Sequence, residues 1–192
     1  MSMTLGPIHY WLYGKIANQE ELTKYFADQA KENGLLEDDS AYVRVLPPLE
    51  RIINPMNIHG SLQSTIDSAE SRYAALVEDL LKKNGADPDM LVQWAQAFGA
   101  KHAVSAAAPA DAFQAYENFF LDGMPCDHVN HAIDSSLDSL TWEIGSDVHS
   151  AYWQSDAGMY QKLRLAIMNG MLAETAFQAV MKDDTHGVIE RK

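Results

Sequence analysis

The chain has 192 residues, of which 47% are hydrophobic and 21% charged, a composition typical of a globular domain with a substantial core. Its 27 acidic residues against 14 basic ones give a formal net charge of −13. This charge argues against binding to nucleic acid or to anionic membrane surfaces, because both require clustered Lys and Arg. The sequence has no apolar run long enough to cross a membrane and no signal-peptide pattern at residue 1, so we expect a cytoplasmic, acidic protein.

One sequence pattern occurs twice. Ile-His-x-x-Leu-x-x-x-Ile-x-x-x-Glu is found near the start of the stretches 8–34 and 58–85. In both stretches apolar residues recur at helical spacing, and both close with basic residues followed by a glycine, Gly34 or Gly85. The pattern predicts two long helices related by an internal duplication.

Helical signals continue along the chain. Asp87 and Pro88 are typical of the cap and first position of a third helix, and a short helix is predicted after the small-residue segment 105–110. Two longer helices are then predicted, from Cys126 to about Trp153 and from about Asp156 to Lys182. Alternating strand patterns are nearly absent.

These elements together predict an all-α fold. We expect a helical bundle of four long helices plus two shorter ones, formed by a single domain over residues 1–182. Residues 183–192 are polar and are predicted to form a C-terminal tail.

The repeat places a histidine and a glutamate on the same edge of each apolar stripe. Within one helix they are eleven residues apart, about 16 Å, so partners must come from other helices. Imidazole and carboxylate ligands suit Fe, Mn or Zn, and we predict a divalent-metal centre of this kind. The predicted ligands are His9, Glu20, His59, Glu70 and His149. The alternative is an old duplication whose His and Glu only form hydrogen bonds between helices. The Glu-x-x-His pair of common di-iron bundles is missing.

Three further residues are candidates for catalysis. Glu174 falls within an apolar helical stripe, where an ionised carboxylate needs a metal, an arginine or several donors. Cys126 is the only cysteine and is predicted at a helix N-terminus close to His128, which would favour a nucleophilic thiolate. A lone cysteine is otherwise usually a small core residue.

A ligand pocket is predicted around three other side chains. Trp142 and Trp153, near His149 in sequence, could wall an apolar or aromatic ligand, or else pack helices or a subunit interface. Arg164 could hold a ligand's carboxylate or pair near Glu174.

From these patterns we predict a cytoplasmic small-molecule enzyme with a metal-binding His/carboxylate centre inside a helical bundle. Whether the protein is an enzyme stays open; if it is, metal-dependent hydrolase, lyase or oxygenase chemistry would be expected. The alternatives are a Cys/His-dependent hydrolase centred on Cys126 and a non-catalytic ligand-binding or assembly protein. The expected partners are a small-molecule ligand and further copies of the chain, as in a dimer, but neither nucleic acid nor a membrane.

Overall fold

Residues 5–153 and 157–192 are described in a computed structural model. These residues form six α-helices, α1 (Pro7–Glu32), α2 (Leu49–Ile52), α3 (Ile58–Lys82), α4 (Pro88–Lys101), α5 (Pro109–Phe119) and α6 (Ala157–Met171). They also form four strands, β1 (Asn130–Ser135), β2 (Ser139–Ile144), β3 (Phe177–Met181) and β4 (His186–Arg191). A 3-10 turn, Pro125–Asp127, lies between α5 and β1. No helix among the described residues is long and apolar enough to cross a membrane.

The two helices of the repeat are α1 and α3, and they pack side by side. Their first turns border one apolar cavity, and beyond their other ends the amide of Asn84 donates to the carbonyl of Leu35. The helices therefore run parallel, and the segment 33–57 crosses back along α1 to connect them. Gly34 and Gly85 both have positive φ, +70° and +72°, as expected for left-handed residues after a helix.

Helices α4 and α6 pack closely against each other. Gly99 of α4 faces the backbone of Ile167, and Gly170 of α6 faces the backbone of Gln96. A Cβ atom at either glycine would overlap the facing carbonyl oxygen. The helices can come this close only because both positions lack a side chain.

The all-α prediction is wrong, because the chain also forms a four-stranded antiparallel sheet in the order β1-β2-β4-β3. The predicted long helix from Cys126 to Trp153 is instead the 3-10 turn, the hairpin β1–β2 and a loop. The hydroxyl of Ser136 accepts from the backbone N–H groups of Asp138 and Ser139 and so closes the hairpin turn. The helix was predicted from six apolar residues at helical spacing. Of these, Ile133 lies in β1, Leu140 and Ile144 lie in β2, and Val129, Leu137 and Val148 lie outside both strands.

The last predicted helix is also shorter than expected. Asp156, its predicted start, lies outside the described residues, and α6 ends at Met171 rather than Lys182. Residues 183–192, predicted to be a tail, contain β4, which pairs with both β2 and β3. The ring of Trp142 lies directly over Gly187 of β4, where no other residue would fit. The C-terminal segment thus contributes an interior strand of the sheet.

Candidate functional site

A cavity of about 430 Å³ is bordered by the loop after α5, the loop after β2, the first turns of α6 and the turn between β3 and β4. Its volume lies in the range of small-molecule sites. The side chains that matter most for its chemistry are Asp122, Asn130, His149, Trp153, Tyr160 and Arg164.

His149 is held in the loop that follows β2. The carboxylate of Asp147 accepts from the backbone N–H groups of His149 and Ser150, which fixes the local turn. The imidazole of His149 is buried between two carboxylates. Its Nδ1 lies 3.4 Å from Oε2 of Glu70 on α3, and its Nε2 lies 3.1 Å from Oδ1 of Asp122. A single histidine therefore connects a helix of the repeat to the loop after α5.

Arg164 binds the other side of Asp122. Its Nη1 and Nη2 atoms donate to the two carboxylate oxygens of Asp122 at 2.7 and 2.9 Å. The same Nη1 donates to the hydroxyl of Tyr160, one turn earlier on α6, at 3.0 Å. The guanidinium also covers the ring of Phe120, with its carbon 4.2 Å from the ring centre. This two-point geometry fixes α6 against the loop after α5.

Tyr160 links Arg164 to His149. Its hydroxyl lies 2.8 Å from Nε2 of His149, and the two rings stack with their centres 4.1 Å apart. Tyr160 also borders the cavity. His149 borders it too, so the imidazole and the phenol form one hydrogen-bonded pair at the cavity wall.

The electrostatics of the site favour a charged imidazole. Burial disfavours the cation, but the carboxylates of Glu70 and Asp122 outweigh it and raise the pKa of His149 to about 9. Burial alone would raise the pKa of Asp122, but the positive charges of Arg164 and His149 hold the pKa of this carboxyl well below its usual range. Burial raises the pKa of Tyr160 well above its usual value. At neutral pH the site therefore contains an imidazolium, a carboxylate, a guanidinium and a neutral phenol.

A second group of polar residues continues from Asp122 towards α1 and α5. The amide of Asn130 donates to Oδ2 of Asp122 at 2.9 Å and to Oε1 of Glu117 at 3.0 Å. Burial, together with the charge of Asp122, raises the pKa of Glu117. Burial lowers the pKa of Lys15, although Asp122 and Glu117 oppose this effect. The chain of charged groups thus extends from α3 to α1.

Only part of the predicted metal set enters this site. Glu70 and His149 are in contact, whereas Glu20 makes a two-point ion pair with Arg72 of α3. Arg72 also donates to the carbonyl of Tyr42. The two glutamates of the repeat are both buried, but they have different partners.

The two histidines of the repeat lie away from these carboxylates. Nδ1 of His9 accepts from the N–H of Gly6 at 2.8 Å and so caps α1, and His59 is exposed. Both border an apolar cavity of about 210 Å³, together with Cys126. In residues 5–153 and 157–192 no group of three or more His, Cys, Asp or Glu side chains is arranged to hold a metal ion. The predicted metal-binding centre is therefore wrong for the described part of the chain.

The predicted catalytic residues lie outside the cavity. Glu174 is exposed in the turn after α6, because that helix ends before reaching it. Cys126 and His128 are both exposed, and the thiol belongs to a three-residue 3-10 turn rather than to the start of a long helix. The helix dipole that was expected to activate the thiol does not exist there. Nothing among the described residues supports the predicted hydrolase.

Two of the three predicted ligand-binding residues lie at the cavity and one does not. Trp153 and Arg164 border the cavity. Trp142 is buried between the sheet and α5, with its ring centre 6.1 Å from that of Phe113. It packs the core, which was the alternative interpretation.

Asp122, which contacts both His149 and Arg164, was not predicted from the sequence. Its signal is a lone acidic residue directly after the apolar run Phe119–Leu121, a position where a carboxylate is buried and needs partners. Lys15 was missed in the same way, since it lies within the apolar stripe of α1 beside Ile16.

Comparison with known proteins reveals no relatives. No protein-family model, no curated protein and no solved structure matches the chain.

Proposed function

We propose that the protein binds a small molecule in the 430 Å³ cavity and catalyses a proton transfer on it, as a lyase or isomerase does. The observation that carries the proposal is His149, a buried histidine whose pKa is raised to about 9 beside a cavity of ligand size. A titratable group perturbed by burial and by specific charges, in a concave pocket, is the usual mark of an active site.

Protonated His149 would act as the acid, and Tyr160 would carry the proton into the cavity. The phenol gives its proton to a basic atom of the ligand and takes the Nε2 proton of His149, to which it lies at 2.8 Å. The ligand gains one proton and His149 becomes neutral. In the second half of the reaction the neutral imidazole takes a carbon-bound proton from the ligand by the same path, and the imidazolium so restored exchanges that proton with solvent. Arg164 stabilises negative charge that develops on the phenol oxygen, since its Nη1 donates to that atom.

A binding protein without catalysis is the second candidate. It is favoured by the pairing of the two cations, because Arg164 already uses two donors on Asp122 and His149 already contacts two carboxylates. For either function we propose a cytoplasmic location, which suits a chain whose only cysteine is free and exposed.

The test is a screen of small polar metabolites by ligand-observed NMR, followed by incubation of each binder with the protein in deuterium oxide. A proton-transfer enzyme should exchange a carbon-bound hydrogen of its ligand for deuterium or yield a new product. We expect His149→Gln to lose the exchange and Tyr160→Phe to slow it.

His102→Gln is the matched control. His102 is half-buried outside the cavity, with its imidazole 3.3 Å from the exposed carboxylate of Glu21, so this variant should bind and exchange like the wild type. Binding without exchange in the wild type would favour the binding protein. A screen in which nothing binds the wild type would contradict both functions.

A further inference from the structure

The hydroxyl of Tyr160 is hydrogen-bonded to two nitrogen-bearing side chains. Nη1 of Arg164 lies 3.0 Å from the hydroxyl oxygen, and a guanidinium group can only donate. Nε2 of His149 lies 2.8 Å from the same oxygen. An imidazole nitrogen donates when it carries a proton and accepts when it does not. The protonation of His149 therefore decides where the phenol proton points.

The contacts of His149 require a proton on both of its ring nitrogens. Nδ1 faces Oε2 of Glu70 at 3.4 Å, and Nε2 faces Oδ1 of Asp122 at 3.1 Å. An ionised carboxylate only accepts hydrogen bonds, so a nitrogen without a proton would place its lone pair against the oxygen. Burial opposes the positive charge, but the same two carboxylates raise the pKa of the imidazole above its usual value. Nε2 is therefore a donor at neutral pH.

The proton of the Tyr160 hydroxyl is then left without an acceptor among the residues that the structure describes. The hydroxyl oxygen accepts from His149 and Arg164, and neither cation has a lone pair to accept in return. Burial raises the pKa of Tyr160 well above its usual value, so the phenol keeps its proton. Tyr160, His149 and Arg164 all border the 430 Å³ cavity, which is where an acceptor can bind.

The acceptor that best suits this proton is a carbonyl oxygen. An ammonium group has no lone pair. A carboxylate would meet two further acidic side chains of the wall, Asp147 and Asp184, while His149 and Arg164 are already paired with Asp122. A hydroxyl oxygen accepts hydrogen bonds but leaves the hydrogens on its carbon unreactive. A carbonyl group both accepts and makes a hydrogen on the neighbouring carbon acidic, which the proposed proton transfer requires.

We propose that the cavity takes a ketone or an aldehyde, that its carbonyl oxygen binds the hydroxyl of Tyr160, and that the reaction interconverts this compound with its enol. This inference rests on the proposed function, because it uses the same cavity and the same proton path. It adds the substrate class and the substrate group that Tyr160 recognises.

The reaction balances without a further reactant. The phenol gives its proton to the carbonyl oxygen and takes the Nε2 proton of His149. The bond between the neighbouring carbon and its hydrogen then breaks, its electron pair forms the carbon–carbon double bond, and the carbonyl π pair stays on the oxygen of the enol. The released proton returns through the phenol to His149. Both cationic partners of the phenol strengthen it as a donor.

The test uses pairs of compounds that differ in one carbonyl group. The pairs are hydroxyacetone with propylene glycol, cyclohexanone with cyclohexanol, and isobutyraldehyde with isobutanol. We expect at least one carbonyl compound to bind about 2- to 10-fold more tightly than its alcohol in ligand-observed NMR. Its carbonyl-carbon NMR signal should shift downfield on binding, as in any hydrogen-bonded carbonyl. In deuterium oxide its hydrogens next to the carbonyl should exchange faster than in buffer alone.

Tyr160→Phe removes the hydroxyl and keeps the ring. This variant should bind the carbonyl compound no better than the alcohol, lose the shift of the carbonyl signal and slow the exchange by about 100-fold or more. Tyr116→Phe is the matched control, because the hydroxyl of Tyr116 is also buried but donates to the carbonyl of Met168 at 3.1 Å. The control should lower the melting temperature and leave the shift and the exchange unchanged.

The wild type provides a second test if Tyr160→Phe does not fold. Both ring nitrogens of His149 should carry protons at neutral pH in a proton–nitrogen NMR spectrum. An Nε2 atom without a proton would mean that Tyr160 donates to His149, and this result would overturn the inference. The exchange measured in the metabolite screen would then decide the proposed function separately.

Two further results would overturn the inference and leave the proposed function standing. One is a compound without a carbonyl group that exchanges a carbon-bound hydrogen in the metabolite screen while none of the three carbonyl compounds binds. The other is a carbonyl compound whose exchange is lost in His149→Gln but whose shifted carbonyl signal persists in Tyr160→Phe. If no compound binds the wild type in either experiment, both proposals fail.

Discussion

Replacing His149 with glutamine should change how the free energy of unfolding depends on pH. The pKa of His149 rises from an ordinary 6.5 to about 9 in the folded protein, where Glu70 and Asp122 contact its ring. A group whose pKa is higher in the folded state stabilises that state fully below its unfolded pKa, and this contribution is lost as pH rises through the folded value. The difference between the two pKa values, at about 1.4 kcal/mol per pH unit, corresponds to a contribution of about 3 kcal/mol to the free energy of unfolding.

The measurement is urea unfolding of the wild type and His149→Gln at intervals between pH 6 and pH 10. We expect the wild-type advantage in unfolding free energy to be largest at pH 6 and to decrease by about 3 kcal/mol by pH 10. Subtracting the unfolding free energy of the variant from that of the wild type at each pH removes the contribution of titratable groups that both proteins share. The control is again His102→Gln, whose imidazole has one exposed carboxylate partner. A difference in unfolding free energy between the wild type and His149→Gln that stays constant over this range would refute the reasoning. An NMR titration of His149 with its midpoint at the ordinary value of 6.5 would do so too.

Four further predictions concern the stability of the scaffold and the exposure of Cys126. Asp122→Asn should leave Arg164 without its carboxylate and lower the free energy of unfolding by about 3–5 kcal/mol in urea. Gly99→Ala should destabilise by about 2 kcal/mol or more, because its Cβ would overlap backbone of α6. Gly14→Ala in α1, where the space is open, should instead stabilise by about 0.5–1 kcal/mol. Cys126 should react fully with iodoacetamide in the folded protein, as measured by mass spectrometry, and protection until unfolding would contradict its exposure.

The helices that could be predicted are those whose ends are encoded locally. Asp87 accepts from the N–H of Asp89 at 2.9 Å and caps α4, and Gly34 and Gly85 follow α1 and α3 in the left-handed conformation. All three signals lie within a few residues of the helix that they end or begin. Sequence patterns can detect such interactions because they need no knowledge of the fold.

The end of α6 could not be predicted for the opposite reason. Residues 172–182 include neither glycine nor proline, and their alanines and glutamate favour a longer helix. The carbonyls of Leu172, Ala173 and Thr175 accept from Nζ of Lys192, which is about twenty residues away in sequence. A cap of this kind depends on the sheet that brings Lys192 to the helix.

The hairpin β1–β2 was missed because two periodicities overlap. Ile133 and Leu137 continue a four-residue spacing from Val129, which indicated a helix, yet they are 53% and 83% exposed. The informative signal was the shorter alternation of Leu140 and Trp142, the two residues of β2 that are buried. A pattern of two residues is too short to outweigh an apparent stripe of six.

The candidate site was predictable only as a set of buried polar side chains. Glu70 and His149 were both recognised as polar groups that need partners, and they do contact each other. Their further partner, Asp122, comes from a different loop, and Glu20 has the same sequence context as Glu70 but binds Arg72. Spacing along one helix therefore identified the groups, while the pairing was decided by which helices and loops meet.

The position of β4 within the sheet affects how the chain can be synthesised. Residues 186–191 form a strand that hydrogen-bonds to β2 on one side and to β3 on the other. While a ribosome is still adding these residues, β2 and β3 have unpaired edges, and the loop carrying His149 follows directly after β2. Helices α1, α3 and α4 can form earlier, but the cavity is complete only after residue 191 has left the ribosomal exit tunnel. Until then the nascent chain exposes strand edges that other unfinished chains can pair with, and slow synthesis of this segment would favour aggregation over folding.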